Sequence, residues 1–214
     1  MILACSSLMD YVNAAQKKMN TNYPVTWLNR SYHADPKKMR QHIIDQVTAI
    51  PEDIDTVLVA MGYCGGSWEN QVFGKRIVMA RVDECVSLLL HVDDTYHADL
   101  KEPGHLYMKD KDPYSFSLER SFESFTRGWT DEEKARARKA WADAYTHVDI
   151  VDTGLYECHS QEYLNEAQKN ADWIGGNVQF RQGSNRLIEK LVSGQWDEQF
   201  FVAEAGEMIG RFRF

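Results

Sequence analysis

The chain has 214 residues, with 24 Lys and Arg against 32 Asp and Glu, a net charge of −8, and 43% hydrophobic residues. That apolar content excludes a disordered chain, and 13 Gly and 5 Pro exclude a collagen-like or low-complexity one. The acidic excess opposes a nucleic-acid backbone as partner, while the length suffices to bury a core without disulfides.

Residues 1–5 read as a short buried strand. Leu8, Val12, Ala15 and Met19 recur at helical spacing and predict an amphipathic helix over residues 6–20. No basic segment precedes the apolar start and Asp10 interrupts it, so a signal peptide is not expected and a cytoplasmic protein is. Val25–Leu28 is a second strand. Pro36 opens a helix whose apolar face is Met39, Ile43, Ile44 and Val47. Residues 56–61 form a third strand, followed by the loop Gly62-Tyr63-Cys64-Gly65-Gly66. Residues 76–80 are a fourth strand and 84–91 a helix. Farther on, the pattern predicts strands at 105–108, 147–151, 177–180 and 200–203. Helices are expected at 113–125, 131–145, 161–173 and 185–192. No apolar run approaches the ~20 residues that span a bilayer.

Alternating strands and helices predict an α/β fold with a mainly parallel, Rossmann-like sheet and helices on both faces. The expectation is a single domain over residues 1–214 with an inserted helical segment at about 92–145. The tail Arg211-Phe212-Arg213-Phe214 reads as an edge strand or frayed end.

Ligands of parallel α/β sheets bind outside the carboxyl ends of the strands. Cys5 ends the first strand, Cys64 follows the third and Cys85 lies just past the fourth, so these three of the four cysteines project toward one edge. His33, in the loop after the second strand, approaches the same edge. Thiolates of Cys5, Cys64 and Cys85 would hold zinc, with His33 or a water in fourth place; a [4Fe–4S] cluster is the alternative. Helix N-termini after Cys5 and at Cys85 would favour the thiolate. The competing reading is that buried cysteines pack as small hydrophobes. Gly62, Gly65 and Gly66 would let a bound group approach the backbone, or else serve a tight turn. Asp83 is a general base or acceptor beside Cys85, or a helix cap. Cys158 and His159 are adjacent, which points their side chains apart in most conformations and makes a weak nucleophile–base pair. His91, His97 and His105 lack metal-binding spacing and read as surface residues.

Several segments carry a family resemblance. Ile2-Leu3-Ala4-Cys5, Gly62-Tyr63-Cys64-Gly65, the stretch 81–90 around Cys85, the stretch 148–156 and Gly194-Gln195-Trp196-Asp197 resemble the DUF1638 family of bacterial and archaeal proteins. The family carries a cysteine at each of the three positions. It also has a His-Asn-x-x-Pro-like segment, whose place is taken here by His33-Ala34-Asp35-Pro36. The Tyr-Leu-x-x-Gly-Trp segment is replaced by Leu106-Tyr107-Met108-Lys109. The resemblance implies a cytoplasmic protein of organisms with corrinoid and one-carbon metabolism.

The expected function is that of a metal-thiolate protein, with a metal-dependent transferase as the enzyme class. It would act on a small molecule in methyl, one-carbon or sulfur transfer, with Asp83 and His33 as catalytic candidates and a corrinoid protein or methyltransferase as partner. A non-catalytic metal or cofactor carrier is the alternative. Neither nucleic acid nor membrane is expected as a partner, and an oligomer is compatible with the sequence.

Overall fold

The computed structural model describes residues 1–210, so the Arg-Phe tail falls outside the described residues. The chain divides into two compact units, one formed by Met1–Leu100 with the stretch from Ser184 onward, the other by Lys101–Gly183.

The first unit is built on strand β1 (Ile2–Cys5), every residue of which is buried because strands lie on both sides of it and helices above and below. A 3₁₀ turn, Ser6–Leu8, leads into helix α1 (Met9–Lys18). Strand β2 (Val25–Leu28) follows. Helix α2 (Pro36–Thr48) starts where Asp35 accepts hydrogen bonds from the amides of Lys37 and Lys38, with Pro36 in the first turn, where its missing N–H costs nothing. Strands β3 (Thr56–Ala60), β4 (Gln71–Val72) and β5 (Arg76–Ala80) come next, then the single-turn helix α3 (Ser87–Leu90).

The second unit contributes β6 (His105–Met108), α4 (Leu118–Phe125), α5 (Asp131–Ala144), β7 (His147–Asp152), α6 (Gln161–Ile174) and β8 (Asn177–Gln182). The chain then returns to the first unit with α7 (Arg186–Ser193), β9 (Phe200–Ala203) and β10 (Met208–Ile209).

The main sheet has the order β2-β1-β3-β5-β9. The first four strands pair in parallel and β9 closes the edge antiparallel to β5. Right-handed crossovers through α1 and α2 put these helices on opposite faces. Helix α7 packs beside α1 and over β3 and β5. The order reverses between β1 and β3: the connection from β1 leaves toward β2, and that from β3 leaves toward β5. The loops at their carboxyl ends therefore diverge, the arrangement at which open α/β sheets take their ligands. β4 and β10 form a separate antiparallel pair.

The inserted segment differs from the helical insertion expected at 92–145. It runs from 101 to 183 and has its own parallel sheet, in the order β6-β7-β8. One face of this sheet is apolar and packs under α6, with Val148 and Ile150 meeting Tyr163, Ala167 and Ala171 in a buried cluster. The other face carries His105, Tyr107, His147, Asp149, Gln179 and Arg181, which share it by register and alternation. Asp149 is fully buried there and is satisfied by His105 Nδ1 at 3.0 Å, Gln179 Nε2 at 2.9 Å and Arg181 Nε at 3.3 Å. His105 is thus the largely buried partner of a carboxylate rather than a surface residue. His91 is likewise buried, its Nδ1 2.8 Å from the Ser87 carbonyl.

Candidate functional site: a buried thiol cluster

Cys5 is the last residue of β1, held in extended conformation where the chain turns into the 3₁₀ segment. Its Sγ lies 3.2 Å from Ser7 Oγ. Cys64 and Cys85 reach it from two loops that are pinned together. The amide of Tyr63 donates to the Val82 carbonyl at 2.9 Å and that of Cys64 to the Asp83 carbonyl at 2.6 Å. Gly62 makes this approach possible: a Cβ there would meet the Glu84 backbone at 2.5 Å.

Beyond Gly62 the chain makes one left-handed helical turn. Cys64, Gly65 and Gly66 have φ of +49°, +64° and +82°, and the Ser67 amide closes the turn on the Tyr63 carbonyl at 3.1 Å. Glycine adopts this conformation freely, whereas a residue with a Cβ does so at a cost of about 1–2 kcal/mol. Cys64 is therefore held in a conformation its residue type disfavours. The Ser67 hydroxyl bonds the Cys64 carbonyl at 2.7 Å, and Arg40 Nη2 from α2 bonds the Gly66 carbonyl at 2.7 Å. Both brace the turn.

The result is a meeting of three thiols. The sulfurs of Cys64 and Cys85 are 3.9 Å apart, and the Cys5 and Cys85 side chains also interact. Cys85 is their common neighbour. All three residues are buried, with exposures of 1%, 7% and 4% for Cys5, Cys64 and Cys85. The cluster is looser than a closed triangle: among the described residues, the three ligand-type side chains whose donor atoms all lie within 4.8 Å of one another are Asp152, Cys158 and His159.

The expected lowering of the thiol pKa by helix N-termini is not what the structure gives. The contact with Cys85, then burial, hold the Cys5 thiol far above the usual range. For Cys85 the Cys5 contact pulls the value down, but the Cys64 contact and burial outweigh it and push the thiol up to about 12. The physical reason is that α3 is a single turn with little dipole to offer, while desolvation acts on the whole charge. A bound cation would reverse this balance, since a thiol that coordinates a metal gives up its proton to solvent and binds as thiolate.

The remaining predicted residues distribute unevenly. Gly62, Gly65 and Gly66 build the loop that carries Cys64. Asp83 takes part through its backbone carbonyl, while its exposed carboxylate accepts from the Ser87 hydroxyl at 3.1 Å across the start of α3. His33 is exposed on the 3₁₀ turn Arg30–Ala34, so the structure does not bring it into the buried cluster. Its turn is fixed instead by Asn29, which accepts from the Ser31 amide at 2.9 Å. His159 pairs with Asp152 rather than with Cys158 as a base, and sequence reasoning missed Asp152, which had the appearance of an ordinary strand end.

Fold and cluster together define a mixed α/β protein with a thiol centre at the carboxyl edge of its main sheet. The chain belongs to the DUF1638 family, described as proteins of unknown function, which it matches over residues 27–192. The match takes in Cys64 and Cys85, and Cys5 lies before it. No curated protein and no solved structure matches the chain.

Proposed function

We propose that Cys5, Cys64 and Cys85 bind zinc and that the protein is an enzyme transferring a methyl, one-carbon or sulfur group to or from a small molecule. The observation that carries this reading is the convergence of three thiols from three separate strand ends, one of them kept at an unfavourable φ. Simple core packing gives no reason to place a Cβ residue ahead of two glycines at the start of a left-handed turn. The 3.9 Å separation of the Cys64 and Cys85 sulfurs fits the edge of a zinc–sulfur tetrahedron, about 3.8 Å for bonds of about 2.3 Å. In a [4Fe–4S] cluster each cysteine holds its own iron, so the sulfurs stand farther apart. That cofactor is therefore the second choice.

Zinc with three thiolates would carry a formal charge of −1, a poor activator of water but one that keeps a bound thiol substrate deprotonated and nucleophilic. The chain's own contribution is positional. The loop at Gly62–Gly66 brings backbone up to the cluster, and the β1/β3 reversal is where a Rossmann-like sheet would receive a substrate. Burial of all three sulfurs favours an enzyme over a metal carrier, which would present its ligands at the rim for transfer. A cytoplasmic setting and a corrinoid or methyltransferase partner belong to the same reading.

Metal analysis of anaerobically purified protein tests it. Zinc without a visible absorption band, lower by one equivalent in Cys64→Ser, is the expected result. Full metal content in Cys64→Ser, or iron with sulfide in the wild type, would overturn it.

A further inference from the structure

The second unit carries a separate constellation at the carboxyl edge of its own sheet. Asp152 is the last residue of β7, the central strand. Its Oδ1 accepts from the Gly154 amide at 3.1 Å, which fixes the carboxylate. The chain then loops out and returns in a tight turn in which the Ser160 amide reaches the Glu157 carbonyl at 3.1 Å. Cys158 and His159 are the two central residues of that turn. Adjacent side chains of an extended strand point to opposite sides, but in a turn they converge, and here both reach Asp152. His159 Nε2 lies 2.8 Å from Asp152 Oδ2, and the Cys158 thiol interacts with the same carboxylate. The three donor atoms all lie within 4.8 Å of one another.

The surroundings fix the group. Cys158 is buried in the core under α6, and the Tyr156 hydroxyl ties the loop to the Val151 carbonyl at 2.6 Å. The His159 ring stacks on Phe180 with centroids 4.4 Å apart. Beside Asp152, Thr153 Oγ1 is buried and has no hydrogen-bond partner. The His159 side chain is 64% exposed, so the group opens to solvent on that side.

We propose that Asp152, Cys158 and His159 form a second metal site, specific for a divalent cation of the zinc type and independent of the thiol cluster. One sulfur, one imidazole nitrogen and one carboxylate oxygen suit a borderline-soft ion and not magnesium or calcium, which take oxygen ligands. Three protein ligands with an open side is the pattern of zinc sites that keep an exchangeable water. The imidazole–carboxylate pair needs little movement. Donors about 2.0–2.1 Å from a tetrahedral ion stand about 3.3 Å apart, so the His159–Asp152 pair, hydrogen-bonded at 2.8 Å, opens by roughly half an ångström as the cation replaces the shared proton.

The test is zinc uptake by the full chain in competition with a chromogenic chelator, compared with His159→Ala and Asp152→Asn. His159 is exposed, so its removal leaves the core alone. The variants are expected to bind one equivalent fewer than the wild type, or to bind it at least tenfold more weakly. With cobalt in place of zinc, the difference spectrum between wild type and His159→Ala should contain a thiolate charge-transfer band, which assigns Cys158. Unchanged stoichiometry and affinity in both variants, or a difference spectrum without that band, would overturn the proposal.

Discussion

The α-carbon of Gly62 lies against the backbone of Glu84 so closely that a single added Cβ would stand 2.5 Å from it. This contact lets the loops after β3 and β5 run side by side, and it sets Cys64 within 3.9 Å of Cys85. Gly62→Ala is therefore expected to act as a backbone overpacking, costing about 1–3 kcal/mol and toward the upper end because neither loop is a flexible side chain. Urea unfolding checks the cost. Thiol modification under native conditions should show Cys64 and Cys85 reacting faster than in the wild type as the loops part.

The left-handed turn at Cys64 gives a second prediction with a sign. Cys64→Ala and Cys64→Gly both remove the sulfur, but only glycine takes φ of +49° without strain. Cys64→Gly should be more stable than Cys64→Ala by about 1 kcal/mol, read from denaturant midpoints, although alanine is closer in size to cysteine.

Much of the first unit was legible because its strands are continuous apolar runs. Ile2–Cys5, Val57–Ala60 and Ile77–Ala80 read as buried strands, and the helices after the first two strands pointed to parallel pairing, while β3 and β5 pair in parallel with no helix between them. The strands of the second unit could be read one by one, but not as a separate sheet. His105, Tyr107, His147 and Asp149 give one face a polar character unlike the apolar faces of the first sheet. The partners that make this face stable, Gln179 and Arg181, come from residues about thirty positions onward, a pairing no local pattern encodes. In the site, strand ends located Cys5, Cys64 and Cys85. His33 was placed by loop position and by a family-like segment, and an exposed 3₁₀ turn carries it out of the cluster. Asp152 escaped notice because the turn that returns Cys158 and His159 to it has no distinctive residues.

The buried Asp149 should be sensitive to substitution. Asp149→Ala leaves the largely buried His105 and the half-buried Arg181 without their shared acceptor. Breaking such a network by removing one partner costs on the order of 3–5 kcal/mol when fully buried, and about 2–4 kcal/mol is expected here because Arg181 reaches solvent and keeps Glu102. Chemical denaturation monitored by the fluorescence of Trp141 and Trp173, both in the second unit, would show it.

His91 makes stability depend on pH. Burial, the dominant cause, holds its pKa below the usual imidazole value, so the folded protein keeps it neutral with Nδ1–H donating to Ser87. The unfolded chain takes up the proton first, near pH 6.5. Stability is therefore fully present above that pH and falls as the pH drops through it toward the lower folded value. Unfolding free energies measured from about pH 7 down to about pH 5 should decline in the wild type and stay flatter in His91→Asn, whose amide can make the same donation. The carboxylates with lowered values, such as Asp94 and Asp152, act only at more acidic pH.

The central claim is that the three buried thiols share one metal ion, and zinc-edge X-ray absorption reads this directly. His159→Ala protein is the sample of choice, because it removes the contribution of the second constellation. The account predicts a first coordination shell containing three sulfurs at about 2.3 Å, reduced in sulfur number and in total zinc by Cys64→Ser. A shell of nitrogen and oxygen alone, or sulfur coordination that Cys64→Ser leaves unchanged, would contradict it.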